Sequence, residues 1–146
     1  HQPLLPTGGA TIYQYECQIL RVIDGDSIEV LMSVGFDTHI KMGVRLYGID
    51  CPEIRSRDKA HKAHGFLAKN CVEKNLKVGE VYRITTNSKG KFGRYLATIK
   101  LSGRRGTIND LLVKSLLAVP YAGEHKRAVK ALHEINRKRL VEKGLL

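Results

Sequence analysis

Three short stretches of this 146-residue chain combine carboxylates and arginines with turn-forming residues. They are residues 24–27 (DGDS), 45–53 (RLYGIDCPE) and 91–97 (KFGRYLA). Each is expected at a strand end or a turn, where a rigid scaffold brings side chains from separate strands into one cleft. The residue types therefore indicate one charged site assembled from three parts of the chain.

Two aspartates in these stretches, Asp26 and Asp50, supply hard oxygen ligands. Such ligands suit Ca²⁺ or Mg²⁺ rather than a soft metal. A cation held by two carboxylates and water keeps coordination positions open for a phosphate oxygen of a substrate. Aspartate is also common in turns, so each residue taken alone is more often structural. The arginines nearby favour the metal site.

Arg45 and Arg94 can each bind a phosphate through two parallel hydrogen bonds. Glu53 follows Pro52, whose ring restricts the backbone, and its carboxylate can orient or deprotonate an attacking water. A metal and two guanidinium groups would offset the charge that grows on the phosphoryl oxygens during phosphodiester hydrolysis. The alternative for the two arginines is that they form surface ion pairs only.

The hydrophobic pattern predicts the elements that position these stretches, in the order β-β-β-α-β-β-α-α. Strands are expected over residues 13–22, 27–32, 40–46, 81–86 and 94–101, and helices over 60–76, from 107, and over 124–142. Five short strands with a helix after the third are typical of a small closed barrel of the OB type. The predicted fold class is therefore α+β, a five-stranded OB-fold β-barrel with three α-helices.

The chain is expected to form one domain, residues 13–146, preceded by a flexible N-terminal arm, residues 1–12. Residues 33–38 are expected to connect a hairpin, with Gly35 at positive φ. In the last helix, an apolar stripe is expected to face the core. Its members are Ala128, Ala131, Leu132 and Ile135.

The charge balance predicts a polyanionic partner. The chain has 25 Lys and Arg against 14 Asp and Glu, a formal net charge of +11, which favours nucleic acid or an anionic membrane surface. No apolar run approaches the roughly 20 residues of a membrane span. The chain has no Trp and no amphipathic helix with large apolar anchors. Nucleic acid is therefore the expected partner, with no membrane.

The cysteines and histidines give weaker signals. Three cysteines without a CxxC motif support neither a disulfide framework nor a zinc ribbon. We expect a cytoplasmic protein, or a secreted one if a signal peptide has been removed. His61 and His64 share a face of the predicted helix, as a soft-metal pair would, but no third ligand is spaced to join them. Solvated side chains are the favoured interpretation, as for the basic residues of the last helix, some of which would steer nucleic acid.

The three stretches resemble the motifs of the staphylococcal nuclease (thermonuclease) family. Residues 24–27 are similar to its DGDT motif, and residues 45–53 match its R-L-x-x-I-D-x-P-E motif at every specified position. Residues 91–97 are similar to its K-Y-G-R-x-L-A motif, with one change. The resemblance extends over about residues 13–142, and three motifs in the right order make it specific.

This resemblance implies an OB-fold nuclease that hydrolyses DNA and RNA with Ca²⁺ and leaves 3′-phosphate ends. It implies that Asp26 and Asp50 hold the calcium, with the backbone carbonyl of Cys51 as a further ligand. The family has Thr at the position of Ser27, and Thr or Ala at the position of Cys51. Because only the carbonyl of residue 51 would bind the metal, its thiol is tolerated.

The resemblance also implies roles in catalysis and substrate binding. Arg45 and Arg94 would stabilise the transition state, and Glu53 would be the general base or the water-orienting group. The candidate nucleic-acid contacts are Lys91, Phe92 and Tyr121. Phe92 replaces a Tyr of the family, so a hydroxyl contact near the terminal phosphate is lost. For Tyr121, stacking on a base and simple packing both stay open.

A different class of function is a catalytically inactive OB-fold module that only binds nucleic acid or protein. Such a module is expected to lack the metal carboxylates and the arginines, and all of them are present here. The sequence therefore favours a monomeric, calcium-dependent nuclease with DNA and RNA as substrates.

Overall fold

The computed structural model describes residues 13–89 and 93–146. These residues form a closed five-stranded barrel, a two-stranded sheet and three helices. The strands are β1 (Tyr13–Asp24), β2 (Ser27–Ser33), β3 (His39–Leu46), β4 (Ile49–Asp50), β5 (Val81–Lys89), β6 (Tyr95–Ile99) and β7 (Val119–Pro120). The helices are α1 (Lys59–Asn75), α2 (Ile108–Lys114) and α3 (Lys126–Glu142). The predicted α+β class and the five-stranded OB-type barrel with three helices are confirmed.

The strand order of the barrel places the ends of β3 and β6 side by side. Neighbouring strands run β1-β2-β3-β6-β5, and β5 pairs with β1 to close the barrel. β3 and β6 are parallel, with Val44 opposite Tyr95 and Arg45 opposite Leu96. The chain therefore enters β6 close to the end of β3, where Arg45 lies.

Alternate strand residues fill the barrel, as the two-residue period of a strand requires. In β2, Ile28, Val30 and Met32 are buried. Helix α1 packs on β1 and adds Ala68 and Val72 to the same core. The apolar core thus makes a rigid support, and the charged stretches lie at its edge.

Helix α2 joins the end of β3 to β6 through one buried side chain. Thr107 caps the helix by accepting a hydrogen bond from the Asp110 amide, as expected for a residue of this type. The Asn109 amide group donates to the carbonyls of Tyr47 at 3.0 Å and Ala97 at 3.1 Å. These bonds hold the chain where it leaves β3 and turns toward Asp50.

Two short strands were not predicted, and they position a candidate ligand. β4 and β7 pair antiparallel, with Ile49 opposite Pro120 and Asp50 opposite Val119. A two-residue strand is too short to show an alternating pattern, so the sequence carries no signal for it. The pairing nevertheless holds Asp50 against the segment that leads into α3.

The predicted inward face of α3 was wrong. The buried residues of this helix are Val129, His133 and Leu140. Leu132 and Ile135 of the predicted stripe are 44% and 56% exposed. The pattern considered only apolar side chains, whereas a histidine turns inward here because it bonds a carboxylate.

The hairpin between β2 and β3 confirms the expected turn residue. Gly35 has a φ of 86°, and the two residues after it, Phe36 and Asp37, are also left-handed, with φ of 54° and 56°. The expected flexible arm, residues 1–12, lies outside the described residues. Of the helices in the described part of the chain, none has the length and apolar character needed to cross a membrane.

Candidate active site

The turn between β1 and β2 is shaped by a close approach to α1. Asp24 pairs with Ser27 across this turn. A Cβ atom on Gly25 would lie 2.8 Å from the Cβ of Ala68 and 3.1 Å from the Cβ of Cys51. Only glycine fits this space without a shift of its neighbours. The packing of α1 therefore determines where Asp26, the next residue, is held.

Asp26 is a buried carboxylate with defined partners. Its Oδ2 accepts a hydrogen bond from the Cys51 amide at 3.0 Å and lies 3.4 Å from Nη1 of Arg45. Burial raises the pKa of Asp26 above its ordinary value, although the Arg45 charge and the Cys51 amide oppose that rise. A carboxylate so placed is stabilised by any additional positive charge nearby.

Asp50 lies at the end of β4 and is held at both oxygens. Its Oδ1 accepts from Nη2 of Arg45 at 3.0 Å, and its Oδ2 accepts from Nε2 of His133 at 2.8 Å. Burial alone would raise the pKa of Asp50, but the hydrogen bonds from His133 and Arg45 outweigh burial and lower it. Asp50 is therefore ionised at neutral pH.

Arg45 lies between the two carboxylates. Its guanidinium group contacts Asp26 through one nitrogen and Asp50 through another. Burial would lower the pKa of Arg45, but the two carboxylates outweigh burial and raise it. The three side chains form a compact set in which the guanidinium charge balances closely placed negative charges.

Arg94 joins this set through Ser27. Its Nη1 donates to Oγ of Ser27 at 2.9 Å, and that hydroxyl contacts Oδ1 of Asp26 at 3.4 Å. The Arg94 stem runs past Gly43, where a Cβ atom would lie 3.6 Å from its Cγ. Ser27 thus connects the second arginine to the first carboxylate.

Glu53 is exposed on the loop that follows Asp50. Its backbone packs against α1, because a Cβ atom on Gly65 would lie 2.8 Å from both the carbonyl carbon of Glu53 and the oxygen of Pro52. Glu53 lines a cleft of about 380 Å³. The other residues of this cleft are Asp50, Ser56, Asp58, His61, Tyr121, Glu124, Lys126, Val129, Lys130 and His133.

The predicted nucleic-acid contacts divide into two groups. Lys91 and Phe92 lie outside the described residues. Tyr121 lines the same cleft as Glu53 and Asp50, and its amide donates to the Gly48 carbonyl at 2.8 Å. The position of Tyr121 in the cleft with Glu53 and Asp50 is compatible with stacking on a base, which stays a prediction.

Sequence reasoning missed a cluster of three histidines and one arginine on the helical side of the site. The expectation that His61 and His64 are solvated was wrong for His64, which is fully buried. His64 Nε2 donates to the Leu116 carbonyl at 2.8 Å. Burial lowers the pKa of His64 to about 4, and the charge of Arg137 adds to that effect.

Arg137 of α3 reaches both histidines of α1. Its Nη1 lies 3.1 Å from Nδ1 of His61 and 3.4 Å from Nδ1 of His64. The ring of His133 stands edge-on to both, with centroid distances of 5.7 and 6.1 Å. The spacing along the chain was the one sequence signal for this cluster. His61 and His64 share a face of α1, and His133 and Arg137 are one turn apart on α3.

The donor chemistry of the site fits a hard cation. Two carboxylates, Asp26 and Asp50, contact the same guanidinium group, and carboxylate oxygens are ligands that a hard cation prefers. Within residues 13–89 and 93–146, no group of three or more His, Cys, Asp and Glu side chains is placed to hold a metal ion. The expected ligand set needs only two carboxylates, because the Cys51 carbonyl and water would complete it.

Cys51 is compatible with that role. Its side chain is buried, and its amide is the donor to Asp26. Burial, together with the negative charge of the neighbouring aspartates, raises the pKa of the Cys51 thiol well above its ordinary value. The thiol is therefore neutral and packed away, and residue 51 offers its backbone to the site.

A closed OB-type barrel with two carboxylates and two arginines at one edge defines the class of protein: an OB-fold domain with a site suited to phosphate chemistry. Residues 43–143 match the family described as staphylococcal nuclease homologue. This match covers more than half of the chain, and the chain belongs to that nuclease-type family. The matched region contains residues 45–53 and 93–97, whereas residues 24–27 precede it.

A curated relative extends the comparison to an archaeon. The chain is 30% identical over 114 residues to an uncharacterized protein of Methanocaldococcus jannaschii. The similar region covers 65% of this chain and 53% of that protein. The chain thus spans about half the length of the curated relative that it matches.

Proposed function

We propose that the protein is a Ca²⁺-dependent, largely sequence-nonspecific nuclease that hydrolyses phosphodiester bonds of DNA and RNA and leaves 3′-phosphate ends. One observation carries the proposal. The guanidinium of Arg45 lies 3.0 Å from Asp50 and 3.4 Å from Asp26, beside the cleft that Glu53 lines. Carboxylates for a cation, arginine for phosphate and a free carboxylate for water are the groups that this hydrolysis needs.

The metal-binding part of the proposal concerns three residues. Asp26 and Asp50 would hold Ca²⁺ through their carboxylates, and Cys51 would hold it through its carbonyl. A bound Ca²⁺ supplies positive charge to the phosphoryl oxygens and to a coordinated water. Asp26 supports this role because its buried charge has only one close cationic partner among the described residues.

The catalytic part of the proposal concerns Glu53 and the two arginines. Glu53 would orient the attacking water and accept its proton, since this residue is exposed and lines the cleft. Arg45 and Arg94 would bind the non-bridging phosphate oxygens, where their planar donors match the geometry of phosphate. Water adds to phosphorus, the bond to the 5′-oxygen breaks, and the products carry a 3′-phosphate and a 5′-hydroxyl.

The expected lack of sequence preference follows from the kind of groups in the site. Guanidinium groups and a cation contact phosphate, which carries no sequence information directly. The net charge of +11 would attract any nucleic acid, with affinity that falls as salt rises. Single strands would be better substrates than duplexes, because one phosphate is clamped and a base stacks on Tyr121 only if it is unpaired.

The proposal is tested by incubating the purified protein with single-stranded and duplex DNA in Ca²⁺ or in excess chelator. We expect cleavage with Ca²⁺ only, faster on single strands, and product ends that a polymerase extends only after a phosphatase removes the 3′-phosphate. Asp26→Asn should need more Ca²⁺ for the same rate, whereas Asp37→Asn, in the exposed hairpin, should not. Full activity in chelator would refute the mechanism, and tight binding without cleavage would favour the inactive OB-fold module.

A further inference from the structure

Helix α3 contacts the site through two residues one helical turn apart, His133 and Arg137. Residues at this spacing lie on the same face of a helix. His133 reaches Asp50 at 2.8 Å, and Arg137 reaches His61 at 3.1 Å and His64 at 3.4 Å. One face of α3 therefore contacts both a predicted metal ligand and the helix that supports the Glu53 loop.

The contact between His133 and Asp50 restricts how the carboxylate can turn. Arg45 bonds one oxygen of Asp50 and His133 bonds the other, so the carboxylate plane is held from two sides. In the proposed reaction Arg45 must direct donors to the substrate phosphate. His133 then remains as the group that keeps Asp50 in place, because it comes from a different element and bonds the other carboxylate oxygen.

The second nitrogen of His133 shows that packing alone does not explain this residue. Nδ1 is buried and has no hydrogen-bond partner among the described residues. A buried polar atom without a partner is destabilising, and an apolar side chain would avoid that cost. The hydrogen bond from Nε2 to Asp50 is the interaction that an apolar residue could not make.

Arg137 determines where His133 stands. Its guanidinium bonds the Nδ1 atoms of His61 and His64, and His64 is itself fixed by the Leu116 carbonyl at 2.8 Å. These bonds hold α3 against α1. Because His133 and Arg137 belong to one helix, the bonds of Arg137 to α1 also fix the place of His133 beside Asp50.

We propose that α3 is a positioning element of the active site: His133 orients Asp50 toward the cation, and Arg137 holds His133 in place by bonding the two histidines of α1. The inference rests on the proposed function, because it assumes that Asp50 is a calcium ligand. His133 is a positioning residue, since it acts through Asp50 and not on the substrate. Partners of this kind typically change metal affinity about 10–100-fold when they are removed.

A pair of amide variants tests the role of His133. In His133→Gln the amide nitrogen can take the position of Nε2 and donate to Asp50. In His133→Asn the shorter side chain places its amide nitrogen near the position of Nδ1, too far from Asp50 to donate. We expect His133→Asn to raise the Kd for Ca²⁺ about 10–100-fold, and His133→Gln to stay near wild type. The measurement is calorimetric titration with Ca²⁺ in the absence of nucleic acid, with Tm recorded for each protein.

The matched control is Glu134→Gln, an exposed neighbour on the same helix, which should leave the Kd for Ca²⁺ unchanged. Suppose that the wild type binds Ca²⁺ and cleaves DNA. Equal Kd values for His133→Asn and His133→Gln would then overturn the positioning role and leave the proposed function intact. A wild-type protein that neither binds Ca²⁺ nor cleaves DNA would overturn the proposed function instead. A loss confined to His133→Asn, with similar Tm for both variants, would establish the positioning role of His133.

Discussion

The site has a barrel side, with Asp26, Arg45 and Asp50, and a helical side, with the histidines and Arg137 of α1 and α3. The two sides join residues over very different distances along the chain. On the barrel side, Arg45 and Asp50 are five residues apart and 3.0 Å apart in space. On the helical side, His133 bonds Asp50 across 83 residues, and Arg137 meets His61 across 76. Asp50 belongs to both sides, because it accepts one hydrogen bond from each.

The two sides also differ in what their residues do. Those of the barrel side carry most of the charge, whereas those of the helical side hold other groups in position. The barrel side holds two carboxylates and a guanidinium in contact, so its energetics depend on charge balance. The helical side places histidines around one guanidinium, and burial keeps His64 neutral over most of the pH range by lowering its pKa to about 4. Substitutions on the two sides should therefore be distinguishable by activity, salt and pH.

Glu53 lies on the loop between the two sides and should show the largest effect. Glu53→Gln should lower kcat about 10²–10⁴-fold, the usual loss when a general base is removed. Its side chain is exposed, so the unfolding free energy should change by less than about 0.5 kcal/mol. Single-turnover kinetics at saturating Ca²⁺ measure the first effect and urea unfolding measures the second. Glu73→Gln, exposed on α1, is the control, and an equal kcat for both variants would remove Glu53 from the mechanism.

Arg45→Met breaks the charge balance of the barrel side. It leaves Asp26 and Asp50 without their shared cation, which should cost about 3 kcal/mol of unfolding free energy in chelator. Ca²⁺ should then stabilise the variant more than it stabilises the wild type, since no guanidinium opposes the metal. Urea unfolding with and without Ca²⁺ makes the comparison. Arg45→Lys should lose much less in chelator; a wild-type stability for Arg45→Met would show that the guanidinium does not balance these carboxylates.

His64 allows the helical side to be probed by pH. Its pKa is lowered to about 4 in the folded protein, so the unfolded chain binds a proton first as pH falls. The unfolding free energy should therefore decrease as the pH falls from about 6.5 to 4. Below about pH 4, His64 should make no further contribution to its pH dependence. The wild type should lose about 3 kcal/mol more over this range than His64→Gln, which keeps a donor for the Leu116 carbonyl. If the unfolding free energies of the two proteins changed equally with pH, His64 would not have a lowered pKa in the folded protein.

Gly65 connects the two sides, because α1 packs there on the backbone of Glu53. An alanine in a helix interior normally stabilises a protein by about 0.5–1 kcal/mol relative to glycine. At this position the added Cβ would lie 2.8 Å from the Pro52 oxygen and the Glu53 carbonyl carbon. Gly65→Ala should instead destabilise by about 1 kcal/mol and lower kcat by displacing Glu53. Lys62→Ala, exposed on the same helix, should do neither, and a stabilised, fully active Gly65→Ala would disprove the close packing.

The sequence predicted the barrel and the charged residues at its edge for a local reason. Alternating strands, turn residues and helix caps depend on neighbours within a few positions, so their pattern is visible in the chain. The spacing of Arg45, Asp50 and Glu53 in one continuous stretch likewise needed no knowledge of the fold. The structure places Asp50 and Glu53 in one cleft. Arg45 contacts Asp50 and Asp26, and Arg94 joins them through Ser27. Their catalytic roles stay predictions.

The inward face of helix α3 could not be read in the same way. In α3 the pattern favoured Leu132 and Ile135, but the helix turns His133 and Leu140 inward. Hydrophobic periodicity assumes that a helix buries only apolar side chains. That assumption fails where a helix packs beside a charged site, because a polar side chain with a partner is also stable when buried.

Residue types and short spacings are therefore enough to identify the side chains that could do chemistry. The groups that hold these side chains in place can be identified only from the folded protein. The bond from His133 to Asp50 and the bonds from Arg137 to His61 and His64 span more than 70 residues. Such contacts depend on how α1 and α3 pack against the barrel, and that packing results from the whole core rather than from any one stretch of sequence.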